Sequence, residues 1–149
     1  MDEMRAEQIL ATYGIYSSMT SGTSMWPLFK THRDRVYLVK VTEPLRPLDV
    51  VMYPDGHGSY IMHRIVRVCE DHFLIRGDNT FRLERVPRDR VIGVLMEFDR
   101  KGKHVTVTSR AYRLYSRVWN FLYPLRFLFH GFFALLRRIR RKFRRKKSN

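Results

Sequence analysis

At 149 residues the chain is long enough for one hydrophobic core and too short for two. A composition of 44% hydrophobic and 29% charged residues excludes a disordered chain, and the single cysteine, Cys69, excludes an intrachain disulfide or a thiolate metal cluster. The net charge of +15 calls for an anionic partner, but thirteen Lys or Arg and no acid lie from Arg110 onward, so the basicity belongs to the C-terminal end and the body before it is close to neutral.

In chain order, the N-terminus carries acids and no apolar run, so no secretory leader is expected. Apolar positions at Ile9, Leu10, Tyr13 and Tyr16 predict a short amphipathic helix over 4–16. A turn at 21–27 follows, in which Gly22 permits unusual backbone geometry and Pro27 fixes φ; Ser24 then sits on a constrained bend, presenting its hydroxyl. Taken alone this is also what an ordinary Ser/Thr/Gly turn closed by proline looks like. Val36–Val41 and Val50–Tyr53 read as strands, and Asp55-Gly56-His57-Gly58 as the hairpin into a strand over Tyr60–Val68, where Ile61, His63 and Ile65 share a face. A hairpin through Glu70-Asp71 leads to His72–Arg76, Gly77-Asp78-Asn79 reads as a turn, and Val91–Phe98 and His104–Thr108 complete a mainly β body over 21–109. From 110 the apolar spacing becomes helical, Pro124 is expected to break or kink it, and an aromatic stretch leads into nine Lys or Arg among residues 137–149. Residues 110–149 therefore read as an appendage with its own partner.

Two separated boxes carry chemistry. Gly22-Thr23-Ser24-Met25-Trp26-Pro27 resembles the nucleophile box of the type I signal peptidases and the related SOS-repressor autopeptidases; His63-Arg64-Ile65-Val66 followed by Gly77-Asp78-Asn79 resembles their second box. Their order and separation make the pair specific, and the similarity covers residues 13–98, with a Tyr-Arg-Leu-Tyr segment at Tyr112–Tyr115 like that of compact bacterial relatives. The resemblance implies a mainly β, signal-peptidase-like fold and a serine endopeptidase that cleaves leader or signal-like peptides after small residues. It implies Ser24 as nucleophile, and His63 as base where most bacterial relatives have lysine, as in the Ser/His variant of endoplasmic-reticulum and archaeal signal peptidases.

The chemistry is coherent with those assignments. A serine hydroxyl needs a neighbouring base to take its proton, and imidazole, with an ordinary pKa near ~6.5, is neutral at pH 7 without the deep burial a lysine base needs. A histidine base works better with an acceptor on its other nitrogen; Asp78 is the preferred candidate and Glu84 the alternative, while Asp78 also suits a turn cap. The Ser24 N–H, with Ser21 or Thr23, is the expected oxyanion donor set. Met25 and Trp26 are expected to line or underlie the substrate groove, and Asp34 to shape the turn after the first box. The remaining histidines have no metal-ligand spacing, so neither metal nor cofactor is implied.

For the tail, the window 118–136 is barely long enough to span a bilayer and holds Asn120, Pro124, Arg126 and His130, and a C-terminal span would push the basic run across against the positive-inside rule. The favoured expectation is a peripheral protein on the cytoplasmic face, holding an anionic membrane surface through residues 118–147, with a single C-terminal span as the alternative. A non-catalytic membrane- or nucleic-acid-binding protein on a peptidase scaffold is the competing function; nucleic acid is the less favoured ligand. A self-cleaving repressor is disfavoured, because only about twenty residues precede the serine box and no Ala-Gly or Cys-Gly site lies ahead of it.

Overall fold

The computed structural model describes residues 5–132, and its first element is shorter than the helix expected over 4–16. Helix α1 spans Ala6–Tyr13. Gly14 takes φ 74°, the left-handed geometry that costs glycine little, and its N–H closes on the Leu10 carbonyl, which ends the helix. The chain then enters a strand that the sequence did not announce, β1 at Ile15–Met19. Tyr16 and Ser18 point inward from it while Ile15, Ser17 and Met19 face out, so the usual apolar-in alternation is scrambled.

The remaining elements follow as β2 (Arg35–Val39), β3 (Val50–Pro54), β4 (Tyr60–Val68), β5 (His72–Arg76), β6 (Glu84–Pro87), β7 (Gly93–Arg100), β8 (Lys103–Thr106) and α2 (Arg110–Phe121). The fold is mainly β: one antiparallel sheet in the order β1-β2-β7-β3-β4-β5-β6, with β8 paired to the far half of β7. Strand β6 was also unexpected, being charged and ending in proline. It lies at the edge of the sheet, paired only to β5, where a missing N–H is tolerated.

Strand β3 runs through the centre and is buried on both faces. Val50 and Met52 join one apolar cluster with Leu10, Leu38, Leu95 and Phe98, while Val51 and Tyr53 join a second with Ile65, Phe73, Ile75 and Val86. Ile65 and Ile75 are cross-strand partners with no exposure, so cutting either back to alanine costs about 2–5 kcal/mol. This double core makes the sheet a rigid frame for side chains on β4.

Residues 110–132 are fastened to this body. Ser109 caps α2 through the Tyr112 N–H, and Tyr112 and Ser116 are buried against the sheet. The helical run breaks just before Pro124, as expected: α2 ends at Phe121 with Leu122 as its cap, and a second helical segment runs from 123 to 132. Pro124 lies in the first turn of that segment, where its missing N–H costs nothing, and Leu122 and Arg126 donate to Val118 and Leu122 respectively. Among the described residues no helix is long and apolar enough to cross a membrane. The basic run of 137–149 lies outside the described residues.

Candidate active site

The turn carrying Ser24 is held by its carbonyls. Gly22, at φ 76°, accepts a hydrogen bond from the Thr31 hydroxyl. The Thr23 oxygen accepts from the Trp26 N–H and from Asn79 Nδ2, both at 3.1 Å, and the Ser24 oxygen accepts from the Asn79 N–H at 2.7 Å. The Met25 oxygen closes a helical turn with the Phe29 N–H at 3.0 Å, and Arg100 Nη2 donates to the Pro27 oxygen at 2.9 Å. Behind the turn, the fully buried Asp34 carboxylate accepts from the Lys30 N–H at 2.8 Å and from the Arg33 guanidinium at 2.7 Å through each of two nitrogens. Burial opposes that charge, but Arg33 and the backbone amides outweigh it and hold the carboxyl below its ordinary range. Asp34 thus shapes the turn, as expected, and Ser24 is left half-buried with its backbone fixed.

His63 lies on β4 at 5% exposure. Its Nδ1 is 3.2 Å from Glu84 Oε1 and 3.3 Å from the Tyr53 hydroxyl, which itself donates to Glu84 Oε2 at 3.0 Å. With a carboxylate as its nearest partner, Nδ1 carries the proton of the neutral ring, and Nε2 keeps a free lone pair. Burial lowers the imidazole pKa, and Glu84 and Asp78 offset this only in part, so the ring stays neutral to a lower pH than an exposed histidine. Burial beside the same carboxylate raises the Tyr53 phenol, which therefore remains a donor.

Nε2 faces Gly77, one step beyond the last β4–β5 pair, Arg64 with Arg76. A Cβ at residue 77 would sit 2.6 Å from the Ser24 carbonyl oxygen and 3.0 Å from His63 Nε2. Only glycine lets the serine turn and the imidazole close over this position.

Asp78, the preferred orienting acid, does not hydrogen-bond to His63. Its carboxylate grips the buried Arg64 guanidinium through two bonds of 2.8 Å and accepts from the Tyr115 hydroxyl at 3.0 Å. Arg64 also donates to the Leu48 carbonyl and the Ser116 hydroxyl, each at 2.9 Å, so this ion pair is fully coordinated and dry. The orienting position belongs to Glu84. The reason lies in the ladder: β6 brings Glu84 opposite Ile75, which is itself paired with Ile65 of β4, and from there its carboxylate reaches His63 Nδ1.

Ser24 and His63 line one groove of about 710 Å3, walled by Met25, Phe29, Leu38, Met52 and Met62. Ser21 also lines it, whereas Thr23 is exposed and serves through its carbonyl, and Trp26, 53% exposed, turns to solvent away from the groove instead of lining it. The groove runs between β1, a sheet edge, and residues 60–63 of β4, which pair with β3 on one side and have no strand partner on the other. Tyr53 escaped sequence reasoning although a signal existed: it is two residues beyond Val51, the cross-strand partner of His63, and so shares its face. Tyr115 and Ser116 come from 37 and 52 residues beyond their partners Asp78 and Arg64; Tyr115 closes the Tyr112–Tyr115 segment already singled out, but nothing local pairs it with Asp78, and no pattern announces Ser116.

Among the described residues no three His, Cys, Asp or Glu side chains converge as a metal ion would require. Comparison with protein-family models and with curated proteins returns no match.

Proposed function

We propose that this chain is a serine endopeptidase of the signal-peptidase type, cleaving leader or signal-like peptides through a Ser24 acyl-enzyme with His63 as base. One observation carries the reading: Ser24 and His63 share a groove, and Glu84 and Tyr53 occupy His63 Nδ1 so that Nε2 is left as proton acceptor on the side of the serine turn. In this reading an extended peptide pairs with the open edges of β1 and β4. Ser24 Oγ attacks the scissile carbonyl while its proton passes to Nε2; the collapsing adduct releases the amine, which takes that proton, and a water then repeats the sequence to free the acid. The preference for small residues beside the cut comes with the resemblance of the two boxes.

The finer placement belongs to the same reading: a peripheral protein on the cytoplasmic face, held to anionic lipid by the aromatic and basic tail, 118–147. The tail's charge, thirteen Lys or Arg and no acid from Arg110 onward, supports it.

The test is covalent labelling with a fluorophosphonate probe. Wild-type protein is expected to label once, Ser24→Ala not at all, and His63→Ala at least ~10²-fold more slowly, the scale of a lost general base. Equal labelling of Ser24→Ala would remove the nucleophile from this reading.

A further inference from the structure

The Gly77–Asn79 turn is gripped from two sides. Toward the groove, Asn79 holds the Ser24 and Thr23 carbonyls through its N–H and Nδ2. Away from it, the Asp78 carbonyl oxygen accepts from Trp119 Nε1 at 2.9 Å and from the Arg126 guanidinium, while the Asp78 carboxylate accepts from Tyr115. Arg126 lies over the Trp119 ring at 3.8 Å, and Trp119 stacks on Tyr115 at 5.9 Å, so the donors brace one another. Arg126 carries its charge to a neutral oxygen in a half-buried place, where burial lowers its pKa. Such a placement is costly for an arginine and is offset by the bonds it makes.

We infer that Trp119 and Arg126 are positioning residues for the serine: by clasping the Asp78 carbonyl they set the turn whose next residue holds Ser24, 41 and 48 positions away from the groups they bind. The C-terminal helical run is then part of the catalytic unit and not only an attachment. This inference rests on the peptidase reading. It deepens that reading by making the helix that faces the lipid a determinant of nucleophile geometry.

The mechanical chain has few links. Loss of the Trp119 N–H frees one lone pair of the Asp78 oxygen, the turn relaxes, and the Asn79 N–H no longer holds the Ser24 carbonyl at 2.7 Å. A shift of a fraction of an ångström matters there, because attack geometry is steep in distance. The groove is walled by β1, β2, β3, β4 and the serine turn, and neither Trp119 nor Arg126 lines it, so their loss removes no direct contact with a bound probe.

The experiment measures the saturation kinetics of fluorophosphonate labelling on the full chain. Trp119→Phe keeps an apolar ring and removes only the donor; Arg126→Met keeps an unbranched side chain and removes the second donor independently. Both are expected to lower the limiting rate of Ser24 labelling about tenfold, with the half-saturating probe concentration unchanged. A variant that merely loosened the fold would lose probe affinity together with rate and would melt earlier. Unchanged limiting rates in both variants, with wild type labelled at Ser24, overturn the clasp and leave the peptidase reading standing. Absence of Ser24 labelling in wild type would overturn the peptidase reading and this inference with it.

Discussion

At the scale of single residues, the two acids near His63 have separate work. Glu84 sits at Nδ1 and fixes the tautomer, whereas Asp78 neutralises Arg64 and anchors the turn. Glu84→Gln keeps the shape but removes the charge that, in the proposed mechanism, stabilises the imidazolium formed during attack. We predict at least a tenfold fall in the labelling rate, with the rising limb of its pH profile moved further down, since burial already lowers the His63 pKa and Glu84 opposes that. The profile of wild type is expected to climb at a pH below the ordinary imidazole value of ~6.5; a climb only above pH 9 would assign the base elsewhere. The same shift has a stability counterpart. A histidine whose folded pKa is depressed contributes stability that is intact above its unfolded pKa and is lost as pH falls from there through the folded value. Asp78→Asn acts differently, because it leaves a buried guanidinium short of its counter-charge, a loss of about 3–5 kcal/mol in folding that a melting curve reads directly.

At the scale of elements, the site is made where three segments meet: the serine turn, the β4 strand and the turn after β5. Gly77 is their common point. Gly77→Ala would press a methyl against the backbone oxygen of Ser24 at 2.6 Å, and backbone cannot step aside as a flexible side chain can. We predict that this variant folds, because Gly77 lies outside both apolar clusters, and labels ~10²-fold more slowly, the cost of misplacing a reacting group by about 1 Å. Labelling at the wild-type rate would show that the turn has slack that the geometry denies. The elements also show why parts of the site could be read in advance and parts could not. Ser24, His63 and Gly77 stand in boxes whose residue types state their chemistry, and β2 to β5 are apolar enough to announce themselves. Strand β1 was missed because it turns Tyr16 and Ser18 toward the groove, so its pattern answers to the cleft and not to a core. Strand β6 was missed because an edge tolerates charge and proline, and with it went the placement of Glu84. The helix end at Gly14 is a local signal, a left-handed glycine bonded four residues back, whereas the register that carries Glu84 across β5 is a tertiary fact that a window of sequence does not contain.

At the scale of the whole molecule, the helical run from 110 to 132 presents exposed apolar side chains at Leu114, Val118, Phe121, Leu125 and Leu128, in alternating steps of four and three. That spacing keeps the helical period through both segments, 110–121 and 123–132, and two partners could cover the apolar side chains: a second copy, as in a coiled coil, or a lipid surface. Charge decides between them. The run carries Arg110, Arg113, Arg117 and Arg126 and no acid, so pairing two copies sets arginine beside arginine with nothing to compensate, while an anionic bilayer gains about 1 kcal/mol for each basic residue near its surface. Each Leu or Phe taken fully from water adds about 1.5–3 kcal/mol. Deleting residues 118–149 is a poor test of this surface, because it also removes Trp119 and Arg126 from the Asp78 carbonyl. The cleaner variant is the triple substitution Phe121→Ser, Leu125→Ser and Leu128→Ser, at side chains 82%, 50% and 68% exposed. We predict that the full chain sediments with vesicles containing phosphatidylglycerol and not with pure phosphatidylcholine, that raising the salt concentration releases it, and that the triple variant binds at least tenfold more weakly. Equal binding to both vesicle types would remove the electrostatic half of the argument. A concentration-dependent dimer by analytical ultracentrifugation, abolished by the triple variant, would assign these side chains to a second copy instead.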